Sequence, residues 1–179
     1  MMKTWIKRLA MGLAGVATLG VVVGLILPTE FTVKRSIVID GGPEGIHEYV
    51  GELRKWDLWA PWTEDDPTIV VTFGDKTSGI GASQSWVGAD GDGSLEFTAS
   101  SPRRGIEYDL FFEGGTSKCR SAMRYHLTDE NTAVTWIMKG DMSWPIVGGY
   151  FAVMMDSTVG PMFERGLAKL KKTVEANTA

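Results

Sequence analysis

Cysteine appears once in this 179-residue chain and histidine twice. A lone Cys119 excludes an internal disulfide and any Cys-based metal or redox motif, and reads as a small buried hydrophobe on a strand. His47 and His126 are far apart in sequence, and no HExxH, GxSxG, Walker or GxGxxG-plus-acid pattern is present. The ADGDG stretch (89–93) has turn composition but lacks the later ligands and the bidentate Glu of a calcium loop. Glu107 and Asp109 are i, i+2 carboxylates on one strand face, opposite the apolar positions, so they read as a solvated outer face. Paired acids do acid–base work in an enclosed site that separates their pKa values. The sequence therefore nominates no catalytic residue, no metal ligand and no cofactor.

Charge is missing from one long stretch. Residues 9–27, LAMGLAGVATLGVVVGLIL, are uncharged, and at ~1.5 Å per residue they reach about 28 Å, near the ~30 Å hydrocarbon thickness of a bilayer. Lys3, Lys7 and Arg8 precede the run and no acid appears before Glu30. The expectation is a single-pass anchor in the cytoplasmic (inner) membrane, with residues 1–8 in the cytoplasm and the rest of the chain outside it. A cleaved signal peptide is the competing reading, but it has a shorter apolar region and a small-x-small cleavage site. Here the run ends in Leu25-Ile26-Leu27-Pro28, so an uncleaved transmembrane helix is favoured. Gly20 and Gly24 form a GxxxG spacing that could support homodimerisation through this helix.

Beyond the anchor, 15 of the 18 bases face all 22 acids, a net charge of −7 for residues 28–179. That balance excludes nucleic acid as a partner and disfavours electrostatic docking onto anionic lipid. Only residues 28–30 link the apolar run to the first strand, a reach of about 10 Å when extended. A domain spanning 31–179 would then sit against the membrane surface.

Within that domain, FTVKRSIVID (31–40) alternates as a half-buried strand, and Pro43 opens a helix with Ile46, Tyr49, Val50 and Leu53 on one face. RKWDLW continues as another helical turn that Pro61 ends. Strand patterns follow at 68–74, 82–88, 94–100, 105–113, 119–128 and 133–140, with turns between them at ADGDG, GGTSK and DENT. From Ile146 to Val174 apolar residues recur at about 3.6, with Lys169, Lys171 and Lys172 near the end. Gly160-Pro161 predicts a kink or a division there. Seven strands with helices at both ends predict an α+β architecture with its helices on one side of a curved antiparallel sheet.

The opening FTVKRSIVID with Pro43, the block LRKWDLWAPW and the ending VGPMFERGLAKLKKTVE resemble the SRPBCC superfamily, the helix-grip fold of START domains and the birch-pollen allergen. GIGASQSW, IEYDLFF and TAVTWIMKG are similar to the strands of its polyketide cyclase/dehydrase and lipid transport branch. The resemblance spans about residues 31–176. It implies a seven-stranded sheet gripping the long C-terminal helix, with a hydrophobic cavity between them for a lipid or other hydrophobic small molecule. Some members catalyse cyclisation or dehydration, and a solidly packed protein-interaction module is a third reading.

The residue pattern fits such a cavity. Candidate lining residues are Trp56, Trp59, Trp62, Trp86, Tyr108, Leu110, Phe112, Met123, Tyr125, Met154 and Phe163. They are large, apolar and in part Met-rich, which suits an adaptable site. An ordinary filled core is the competing account of each. The three tryptophans of RKWDLWAPW pose the choice most sharply: aromatic plugs closing the core, a gate or wall against a ligand, or contacts with the bilayer interface.

Overall fold

The structure is a computed structural model that describes residues 2–89, 91–112, 117–128 and 130–178, with side chains described from residue 11 except at 117 and 178. In chain order it has α1 Met2–Ile26, β1 Glu30–Asp40, α2 Pro43–Val50, a 3-10 helix Leu53–Leu58 and α3 Trp62–Asp65. Then come β2 Val70–Phe73, β3 Ser83–Val87, β4 Gly93–Ser101, β5 Gly105–Phe112, β6 Ser117–Thr128, β7 Asn131–Asp141 and α4 Gly148–Thr178. The expected turns at ADGDG, GGTSK and DENT fall in part on residues 90, 113–116 and 129, outside the described residues.

The seven strands form one antiparallel sheet in the order β1-β7-β6-β5-β4-β3-β2. This α+β arrangement, a sheet with a long C-terminal helix, fits the helix-grip fold. Alternation along the strands turns one face inward. One inward row runs Phe31, Gly140, Cys119, Leu110, Leu95, Gln84, Phe73; the next runs Val33, Met138, Ser121, Tyr108, Phe97. A third continues Arg35, Trp136, Met123, Ile106, Ser100. α4 lies chiefly against β1 and buries Phe163, Leu167, Leu170 and Val174. Cys119 is a buried free thiol whose pKa is pushed up by that burial.

Two expectations need correction. Gly160-Pro161 does not divide the C-terminal helix, which runs unbroken from Gly148 to Thr178. Pro161 lacks the N–H that would serve Ser157 O, so one bond is missing from a helix of 31 residues, and side chains add donors to carbonyls just before it. Ser157 and Thr158 donate their hydroxyls to Met154 O (2.8 and 3.1 Å), and Arg35 Nη2 donates to Asp156 O at 3.4 Å. Gly160 is needed because Arg35 crosses there: a Cβ would come within 2.0 Å of Nη2. Arg35, the one charged residue of the inward rows above, thereby reaches Asp156 and Glu164 (2.7 and 2.6 Å).

The second correction concerns the turn after α2. Leu53–Leu58 is a 3-10 helix, not a further α-helical turn, and a short helix, α3, starts after Pro61. Leu53 N donates to Thr77 O (2.8 Å) and the Glu52 side chain accepts from Arg54 N (3.0 Å), pinning the segment to the β2–β3 connection.

At the N-terminus, residues 2–26 are helical, a helix that starts before the expected run 9–27 and ends one residue short of it. Of the apolar run 9–27, side chains are described only from Met11 onward, and among the described residues no helix is long and apolar enough to cross a membrane. The Gly20/Gly24 spacing serves a contact within the chain. A Cβ on Gly24 would meet Ile146 O at 2.2 Å, and Gly20 O accepts the Tyr150 hydroxyl at 2.7 Å. Gly24 of that spacing is thus covered by the segment that leads into α4, while a Cβ on Gly20 would meet nothing within 4 Å.

Candidate functional site

The inner face of the sheet has a closed part and an open part, and the sequence-nominated residues divide between them. Trp56, Trp59, Tyr108, Met123 and Phe163 are buried in the closed part. Trp136, which the sequence reading did not single out, is its hub. Its ring stacks on Phe163 with centroids 4.0 Å apart and meets Trp59 and Trp62 edge-on at 5.5 and 5.6 Å. Trp56 adds contacts to Trp59, Tyr108 and Phe97.

Every indole donor of that buried set finds an acceptor. Trp56 Nε1 donates to Val50 O (2.9 Å) and Trp59 Nε1 to Tyr49 O (3.1 Å), two carbonyls at the C-terminal end of α2 that the helix itself leaves free. Trp136 Nε1 donates to the Tyr108 hydroxyl at 3.0 Å. Enclosure pushes the Tyr108 phenol up to about 12, so it stays protonated. A Trp at each of these places supplies a large apolar body and one donor together. The spacing of the tryptophans is legible in the sequence, but their acceptors are set by how α2 stacks on the 3-10 helix.

The acids that follow the tryptophans are also placed by α4. Asp65 pairs with Arg165 (2.5 Å), Glu64 with Lys169, and Asp66 accepts from the backbone and hydroxyl of Thr68 (2.8 and 2.5 Å). Exposed pairs of this kind contribute about 0–1 kcal/mol each.

The open part is the next inward row toward the α1 end: Val71, Trp86, Gly93, Phe112. Gly93 lets the Trp86 ring lie across the strand, since a Cβ there would meet Cζ2 at 2.3 Å; the ring then meets Phe112 edge-on at 5.9 Å. Trp86, Phe112 and the neighbouring Leu110 and Phe73 pack on the core yet remain only partly buried. The register sets this row level with the start of β1, the rim from which α1 leaves.

Met154 joins neither group. It is exposed on α4 in a stripe with Val147 and Phe151. Tyr125 belongs to a polar cluster that sequence inspection missed: His47 Nδ1 lies 3.3 Å from its hydroxyl, and His47 Nε2 lies 3.1 Å from Ser100 Oγ. Burial lowers the His47 pKa and raises that of Tyr125, so both are neutral near pH 7. Chain separation hid the cluster, because α2, β4 and β6 each supply one residue. His126 is exposed. Glu107 and Asp109 are ion-paired away from the inner face, to Arg124 (3.0 Å) and Lys118 (2.8 Å). The Lys118 hydrogen bond holds Asp109 below the usual carboxylate range. Among the described strand residues, no Asp or Glu stands on the inward rows.

Two open depressions, of about 360 and 370 Å³, flank β3–β5. They share Ser85, Ser94 and Phe111, cross-strand partners on the outer face, and no α4 residue lines either.

A family model described as polyketide cyclase / dehydrase and lipid transport matches residues 30–175. Solved structures share the fold at low identity. A Thermobifida fusca protein is 17% identical with a TM-score of 0.62, over 80% of this chain and 92% of its own. A Chromobacterium violaceum protein is 11% identical with a TM-score of 0.60, over 81% and 98%. A Thalictrum norcoclaurine synthase point mutant is 10% identical with a TM-score of 0.61, over 84% and 97%. No curated protein matches the chain.

Proposed function

Because the chain belongs to the polyketide cyclase / dehydrase and lipid transport family, we propose that it binds a hydrophobic small molecule or lipid on the open part of the sheet's inner face. The observation that carries this reading is the Trp86–Gly93–Phe112 row, an aromatic surface left partly uncovered beside the buried core. Apolar surface removed from water there stabilises a complex by ~25 cal/mol per Å². The buried aromatic set around Trp136 is a wall that the ligand abuts. Of the sequence-nominated residues, Trp86, Leu110 and Phe112 are assigned to direct contact.

Binding is favoured over cyclase or dehydratase chemistry by the lining. No carboxylate stands on the described inward rows, the enclosed Tyr108 hydroxyl accepts from Trp136, and His47 and Tyr125 lie within hydrogen-bond distance of each other, away from the Trp86–Phe112 row. A cyclase or dehydratase needs a proton donor or acceptor at the ligand.

In the same reading α1 tethers the domain at the outer face of the cytoplasmic membrane, with the N-terminus inside. The support is the uncharged run 9–27, its preceding bases, and the exposure of Met11, Leu13, Val16, Leu19, Leu25 and Ile26 around the helix. A tether of this kind raises the effective concentration of a membrane-resident ligand at the platform.

The test is native mass spectrometry with lipidomics on the full chain purified from its own membrane, repeated on Trp86→Ser. An apolar ligand that co-purifies with the wild type and is depleted in Trp86→Ser is expected. Absence of any such ligand, together with no binding of fluorescent fatty-acid probes, would sink the proposal.

A further inference from the structure

The first turns of α4 form an exposed apolar surface that neither the filled core nor the platform uses. The fourteen residues from Met142 to Met155 carry no charge, in a domain with a net negative balance. Trp144, Val147, Phe151 and Met154 are all exposed, Phe151 and Met154 at 50% and 58%. Trp144 and Phe151 touch edge-on at 5.7 Å, so the surface is an organised patch and not a scatter of side chains.

Ile146 adds an independent sign. Its φ is +68°, a left-handed conformation that Gly or Asn adopts readily and a β-branched residue does not. Strain of this kind costs on the order of 1–3 kcal/mol. A solvent-facing turn gains nothing by keeping an isoleucine there, whereas an apolar environment does.

α1 identifies that environment. Tyr150 donates to Gly20 O, Ile146 O packs on Gly24, a Cβ on Gly149 would meet Leu27 Cβ at 2.5 Å, and Met142 N donates to Thr29 O at 2.9 Å. The patch is therefore fixed alongside the last turns of α1. Gly20 precedes Leu27 by seven residues, about 10 Å along the axis at ~1.5 Å per residue. If the run 9–27 lies in the bilayer, a side chain bonded at residue 20 lies below its surface.

We propose that the start of α4 is a second membrane element. Residues 144–154 insert into the lipid interface beside α1, and the rim of the sheet carrying the Trp86–Phe112 platform is thereby held against the bilayer. The proposal rests on reading α1 as an anchor and adds a depth and an orientation to it. Interfacial helices bury an apolar face ~5–10 Å deep, and Trp and Tyr favour that zone. Contact here is apolar and needs no basic patch, which agrees with the negative charge of the domain.

The experiment uses the full chain in a Cys119→Ala background, reconstituted in phosphatidylcholine/phosphatidylglycerol vesicles. A polarity-sensitive fluorophore is attached at Phe151→Cys, at Val147→Cys and, as reference, at Leu127→Cys, an exposed residue toward the opposite end of the sheet. Lipids spin-labelled near the headgroup should quench the first two labels at least about twofold more than the reference, as a depth of ~5–10 Å requires. Equal quenching at all three positions overturns the proposal. Alkaline carbonate extraction of the same samples decides the anchor separately. A chain that resists extraction but shows equal quenching keeps the anchor and loses the second element. A chain that is extracted yet shows the quenching difference while bound loses the anchor and keeps the inserted patch.

Discussion

Trp59 and Trp86 stand on either side of the same inner face and meet opposite fates. Trp59 is wholly enclosed, packed between Trp56 and Trp136, with its indole N–H given to the end of α2. Trp86 lies across Gly93 toward Phe112 with part of its surface uncovered. Aromatic content alone therefore does not mark a ligand site. What separates the two is whether another element covers the ring, and the α2–α3 segment covers only the part around Trp136.

The sharpest way to break this comparison is to truncate each ring. Trp59→Ala is expected to cost about 3–5 kcal/mol of folding stability, the usual penalty for emptying a large aromatic site in a core. Urea denaturation of the full chain in detergent measures it. A loss of under ~1 kcal/mol would mean the closed part is plastic and belongs to the binding surface. Tyr108→Phe comes next, at about 1–3 kcal/mol, because it leaves the buried Trp136 N–H without its acceptor. The same denaturation reads it, and a neutral result would show that water reaches the closed part.

Trp86→Ala should cost less than Trp59→Ala, about 1–2 kcal/mol, because its ring is only partly buried. It should nonetheless weaken binding of a fluorescent fatty acid about tenfold, roughly 1.4 kcal/mol. Titration of the probe into both tryptophan variants compares the two parts directly. Unchanged affinity in Trp86→Ala would remove the platform from the site.

The smallest expected effect is on pH dependence. Burial lowers the His47 pKa, so the folded chain prefers the neutral ring. The unfolded chain takes up its proton near the ordinary value of ~6.5. Stability from this group is thus full above that value and falls as pH drops through it toward the lower folded pKa. The melting temperature should drop between about pH 7.5 and about pH 5.5, and His47→Gln should lessen the drop. Identical profiles would mean that the ring is hydrated and the contacts to Tyr125 and Ser100 are loose.

Strand identity was legible because it follows alternation over a few residues. β5 and β7 agree with their sequence patterns within two residues, and the order of seven strands and a long helix needs no tertiary information. What local pattern left open was decided by partners distant in the chain. Pro161 stays inside α4, and Arg35, more than a hundred residues earlier, crosses the helix beside it at Gly160. Met154 has the look of a lining residue, yet the rotation of α4 that buries Ala152 and Phe163 turns it outward.

RKWDLWAPW by itself determined that Trp56 and Trp59, three residues apart on one short helical turn, would lie close together. Of the acids after it, Glu64 and Asp65 are exposed as their charge suggests, whereas Asp66 is buried and accepts from Thr68. Only the tertiary structure decided that Trp56 and Trp59 cap α2, that Trp136 is their hub, and that Glu64 and Asp65 pair with α4. Local pattern depends on a residue and its near neighbours, whereas enclosure depends on which element lies over it. For Trp59 that cover is present, and for Trp86 it is partial.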